Sequence, residues 1–97
     1  MSELRFAWDP RKAEANLRKH GVSFEEASTA FGDELGIVAR DPKHSAGEER
    51  FILIGLSYGW RLLVVCHCYR ESEDLIRIIS ARRAAPIERR QYEERLE

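Results

Sequence analysis

Ninety-seven residues supply one hydrophobic core and not two, so the chain reads as a single domain over residues 1–97. At 43% apolar and 34% charged the composition is globular, and the longest apolar stretch, RLLVVCHCY, is far too short to cross a bilayer. A net charge of −1 excludes a uniformly cationic nucleic-acid binder, yet the charge is unevenly spread: residues 23–50 hold three basic and seven acidic side chains, residues 75–97 six and four.

The opening MSELRFAWDP is charged and lacks the apolar run of a signal peptide, which predicts a soluble, cytoplasmic protein with no membrane partner. LRFAW (4–8) predicts a short edge strand. Asp9 is a natural N-cap with Pro10 at the first helical position, so RKAEANLRKH should be a helix closed by Gly21, with Ala13, Leu17 and His20 on one face. Ser23 and Glu26 have the spacing of a capping box and open a second helix to about Phe31. LGIVAR (35–40) is a strand and DPKHSAGEE a polar loop. Two further strands, 50–57 and 60–69, meet at Tyr58-Gly59, a two-residue hairpin signal. ESED turns the chain into a strand over 75–81, and Pro86 starts a final helix. The fold class is α+β: two N-terminal helices and a C-terminal helix packed on an antiparallel sheet.

A two-residue turn sets a register. Ser57 would face Trp60, Ile54 would face Leu63, Ile52 would face Val65 and Arg50 would face His67, with Glu48 near Tyr69. One face then gathers Glu48, Arg50, His67 and Tyr69: a base, a cation and a hydroxyl within mutual reach. A one-residue slip would turn His67 to the other face, where a histidine between cysteines is ordinary strand filling. Cys66 and Cys68 share a face and should be free thiols in a reducing compartment. Alternation points His67 away from both thiols and no second ligand pair exists, so neither a metal site nor a cofactor is expected.

IRIISARRA (76–84) threads arginines through a core strand. Each must meet an anion, either a structural carboxylate or a phosphate. A four-residue connection would put Arg77 on the cysteine face; a five-residue connection or a bulge would put it beside His67. Arg82 and Arg83 project to opposite sides, so at least one should reach the polar rim.

Together, FAWDPRKAEANLRKHGVSFEEA, GEERFILIGLS, RLLVVCH and IRIISARRA followed by ERRQYEE resemble, in order and over nearly the whole chain, the BrnT toxins of bacterial BrnT/BrnA toxin–antitoxin modules. The resemblance implies a RelE-like fold and ribonuclease activity that halts translation. It also implies neutralisation by a DNA-binding, BrnA-like antitoxin, with promoter DNA bound only by the toxin–antitoxin complex. From the family's motifs come Lys19 and His20 in KHG, Glu49 and Arg50 in EERF, His67 in the third strand, and Arg77, Ser80 and Arg82 in IRIISAR. The chain departs from the family's pattern near Cys68, where a small polar residue such as threonine is expected.

In chemical terms, metal-free RNA cleavage requires removal of the 2′-proton, neutralisation of the phosphorane oxygens and protonation of the departing 5′-oxygen. His67, Arg50, Arg77, Arg82 and Glu49 are the catalytic candidates, and Lys19, His20, Arg83 and Ser80 the RNA-binding ones. A non-catalytic RNA- or protein-binding module is the other reading. Binding needs only the arginines; cutting also needs a proton-transfer group, His67 or its substitutes Glu49 and His20.

Overall fold

A computed structural model describes residues 4–41, 47–70 and 74–96. The elements run β1 (Arg5–Ala7), α1 (Pro10–His20), α2 (Phe24–Thr29), a 3-10 turn (Ala30–Gly32), β2 (Ile37–Arg40), β3 (Phe51–Leu56), β4 (Leu62–Arg70), β5 (Leu75–Arg83) and α3 (Pro86–Arg95). The five strands form one sheet in the order β1-β5-β4-β3-β2. Every pairing is antiparallel except β1 with β5, which is parallel with Phe6 beside Ile76, so the expected antiparallel sheet is a mixed one. The polar loop and the turn expected after residues 41 and 70 lie largely outside the described residues.

The helix ends follow local chemistry. Asp9 accepts from the Arg11 N–H (2.8 Å), Pro10 takes the first helical position, and Gly21 closes α1 with φ at +68°. Ser23 Oγ accepts from the Glu26 N–H (3.0 Å), but the reciprocal half of the capping box is not made. The Glu26 carboxylate turns away to Arg61 and to the Ser57 hydroxyl (2.7 Å), a charge-assisted pairing that outweighs a neutral backbone contact.

The two faces of the sheet are covered by different helices. Val22, Phe24, Ala27 and Ala30 pack on Leu53, Leu63, Val65, Ile76 and Ile78 to form the main core. Each fully buried large side chain there contributes roughly 1.5–3 kcal/mol. On the opposite face Tyr92 of α3 packs on Ile54, Leu62 and Val64. The face of α1 differs from expectation: Leu17 is half exposed, and the buried residue is Asn16. Asn16 Nδ2 donates to the carbonyls of Val22 (2.9 Å) and Ala81 (2.8 Å), and its Oδ1 accepts from the Ala81 N–H (3.1 Å). The amide thus pairs with β5 where β1 has already ended, doing for Ala81 what a neighbouring strand would do.

The hairpin also corrects the expected register. Its loop is three residues, Tyr58–Gly59–Trp60, with the Trp60 N–H donating to Ser57 O (3.0 Å) and the Ser57 N–H to Arg61 O (2.9 Å). Trp60 takes the left-handed conformation at φ +62°, the geometry that closes a three-residue hairpin. Ile54 therefore faces Val64, Ile52 faces Cys66 and Phe51 faces His67. Arg50 and His67 lie on opposite faces of the sheet, and the expected Arg50–His67 pair does not exist.

Candidate active site

A bulge in β5 builds the site. Val65 pairs with Ala81 and Cys66 with Ser80; then Ile79 is passed over, and His67 pairs with Ile78 and Cys68 with Arg77. Residues five apart on a regular strand point to opposite faces. The extra residue restores parity, so Arg77 and Arg82 both point to the cysteine face. Arg50, next to Phe51 but of opposite direction, joins them there, while Ile76, Ile78 and Ala81 keep to the core. This answers which side Arg77 takes: the cysteine side, because the bulge falls beyond it.

Between these strands lies a groove of about 240 Å³ lined by Asp41, Arg50, Cys66, Ile79, Ser80 and Arg82. A second, of about 230 Å³, is lined by Lys12, Asn16, Lys19, His20, Ile79 and Ser80. The two share Ile79 and Ser80, so the bulge joins the arginine face to the basic end of α1. Arg82 makes a two-pronged pair with Glu88, Nη1 to Oε1 at 2.7 Å and Nη2 to Oε2 at 2.6 Å. That bonding pushes the Arg82 pKa up and holds Glu88 below the usual carboxylate range. Arg50 lies 3.8 Å from Glu48, which also meets Arg70 at 3.4 Å. Arg77 makes no ion pair among the described residues.

Other expected site residues lie elsewhere. His67 is fully buried in the main core, stacked edge-on against Phe31 (4.8 Å between centroids) and Tyr69. Its Nδ1 is 3.1 Å from Val65 O and its Nε2 3.2 Å from the Tyr69 hydroxyl, and burial pushes its pKa down. Glu49 is exposed and faces Arg40 (3.5 Å), outside both grooves. Arg83 is exposed on the helix side of the sheet, near enough to Glu26 to favour that carboxylate's charge. Cys66 reaches the groove, but burial raises its pKa, which disfavours a thiolate.

Residues 8–88 match the family described as "Ribonuclease toxin, BrnT, of type II toxin-antitoxin system". The chain belongs to the BrnT family of ribonuclease toxins. It is also similar to the crystal structure of the Brucella abortus ribonuclease toxin, BrnT, at 25% identity and a TM-score of 0.65, covering 84% of this chain and 97% of that one. No curated protein matches the chain in sequence. A type II toxin–antitoxin family implies an antitoxin partner. Among the described residues no helix is long and apolar enough to cross a membrane, and no three His, Cys, Asp or Glu side chains gather as metal ligands do.

Three groove or site-adjacent residues of this BrnT-family chain escape sequence reasoning. Asp41, only 8% exposed, follows β2 and donates its N–H to Arg50 O (2.8 Å); its one signal is the turn-forming Asp-Pro pair. Glu88 stands at the third position of α3 after a helix-opening proline, where a carboxylate suits the helix end but nothing names Arg82 as its partner. Asn16 has no signal at all, since a polar residue within a helix reads as solvent-facing.

Proposed function

We propose that this chain is a metal-independent endoribonuclease toxin of RelE-like type that cuts RNA through its own 2′-hydroxyl and so stops translation in the cytoplasm. The observation that carries the reading is the gathering of Arg50, Arg77 and Arg82 on one sheet face beside a groove that continues to Lys19 and His20. Planar guanidinium forks hold two phosphate oxygens each and stay charged at any working pH. In this scheme the 2′-oxygen attacks the neighbouring phosphorus, Arg50 and Arg82 take up the charge on the phosphorane oxygens, and Arg77 holds a flanking phosphate. The P–O5′ bond breaks and the 5′-oxygen takes its proton from solvent water, giving a 2′,3′-cyclic phosphate and a 5′-hydroxyl end. His20 takes the 2′-proton, because His67 is sealed in the core and Glu49 stands outside the grooves. Lys19 and Ser80 line the path of the strand. Arg83, on the other face, is not part of it.

A BrnA-like antitoxin covers the arginine face with an acidic or amphipathic segment, and the complex, not the toxin alone, binds and represses the promoter. The solvated helix α1 does not read DNA: Arg18 is tied to Glu14 at 2.6 Å on its exposed side. The test is a digest of RNA by the purified protein with and without EDTA, followed by end-group determination. Cyclic or 3′-phosphate ends insensitive to EDTA are expected. Loss of cutting on chelation, or 5′-phosphate ends, would mean metal-dependent hydrolysis; RNA bound but never cut would mean a binding module.

A further inference from the structure

We propose that Glu88 is a positioning residue, which holds Arg82 so that the side edge of its guanidinium, Nε and Nη2, is the edge presented to the RNA phosphate. The inference rests on the ribonuclease reading and concerns how one of its arginines is aimed. A guanidinium carries five N–H groups. Glu88 takes one from Nη1 and one from Nη2, and the Arg83 carbonyl takes a second from Nη1 at 3.2 Å. The two that remain, Nε–H and the outer Nη2–H, run parallel along one edge, the spacing that matches two oxygens of a phosphate. No described residue accepts from them.

Glu88 is itself held. Its Oε1 also accepts from the Ala85 N–H at 2.7 Å, Pro86 sets the first turn of α3, and buried Tyr92 anchors the helix on Ile54, Leu62 and Val64. The carboxylate also approaches from the right side. Arg82 lines the arginine groove with Asp41, Arg50 and Ser80, whereas Glu88 lines an adjoining apolar hollow with Ile37 and Ile54, on the other side of Ile52, which both share. Glu88 therefore stands behind Arg82 and does not occupy the space a phosphate would fill. A long arginine left alone samples many rotamers, and misplacement of a charged donor by about 1 Å costs on the order of a hundredfold in rate.

The experiment compares kcat and KM on a single-stranded RNA for wild type, Glu88→Gln, Arg82→Lys and the double variant. Glu88→Gln keeps the side chain's volume but removes one acceptor and the charge. Its kcat should fall about tenfold to a hundredfold while KM stays unchanged or drops, since the groove has become more positive. The double variant should be no slower than Arg82→Lys alone, because both changes act through one guanidinium. Because Glu88 also caps α3, Ala85→Ser is added to Glu88→Gln to restore the cap without restoring the charge. Continued low kcat in that folded variant supports positioning; recovery means Glu88 only caps the helix and overturns it. A Glu88→Gln kcat equal to or above wild type, or losses that multiply in the double variant, also overturns it. Wild-type protein that cuts no RNA removes the ribonuclease reading instead.

Discussion

Single polar side chains hold this molecule at points where its backbone would otherwise go unsatisfied. Asn16 serves three buried backbone groups, on Val22 and Ala81, and truncation strands all three. Asn16→Ala should lower stability by about 2 kcal/mol or more, read as an earlier midpoint in urea unfolding with an unchanged slope. His67 makes the opposite kind of statement. Burial holds its folded pKa below the ordinary value of 6.5, so the unfolded chain binds the proton more readily. Its contribution is fully present above pH 6.5 and is lost as pH falls through that value toward the depressed folded one. Melting temperature should decline over that window, and His67→Phe should flatten the decline. Glu26, Asp33 and Glu88 also have lowered pKa values, but their losses begin only below the ordinary carboxylate value of about 4, which separates the two effects. For activity, His20→Ala should slow cleavage by on the order of a hundredfold while His67→Ala should act mainly through stability, a contrast read by comparing kcat per folded molecule.

Elements fail or hold at their connections. Trp60 is 83% exposed and sits at φ +62°, so its ring contributes little packing while its backbone carries strain. Trp60→Gly should leave stability unchanged or raise it by up to about 1 kcal/mol in a thermal melt. Gly55 is the reverse case: a Cβ there would stand 2.9 Å from the Ala30 carbonyl, and backbone cannot yield as a side chain can. Gly55→Ala should cost about 1–3 kcal/mol, measured by the same melt. These two positions also mark the border of what can be read without a structure. Asp9, Gly21 and Ser23 each announce a helix end through a local bond, and Pro10 and Pro86 through a fixed φ that suits the first helical position; the helices start where those residues put them. The hairpin register depends on one tryptophan accepting a conformation that glycine or asparagine usually takes, and Tyr58-Gly59 points to a shorter turn. The Ile79 bulge is equally silent, because an isoleucine inside IRIIS looks like any core residue. From the first follows the separation of Arg50 from His67, and from the second the shared face of Arg77 and Arg82; the sequence alone pairs Arg50 with His67 and leaves the side of Arg77 open.

For the whole molecule, the division of labour runs across the sheet: core and helices α1 and α2 on one face, arginines and α3 on the other. An antitoxin that buries the second face should shield Arg77 and Ser80 from solvent. Hydrogen exchange of the complex is therefore expected to show protection along β5 and little change over the Val22–Ala30 side, whereas protection confined to α1 and α2 would place the partner elsewhere. The parallel pairing of Phe6 with Ile76 adds a matter of timing. As the chain is synthesised, its first strand emerges long before its partner exists, and the strand bearing Arg77 and Arg82 is the last to be made. A ribosome that stalls short of Leu75 releases a fragment with an open sheet and one arginine of the three. On the proposed ribonuclease reading such half-made copies should cut no RNA, and a chain truncated after Arg70, compared with the full chain in the same digest, checks it.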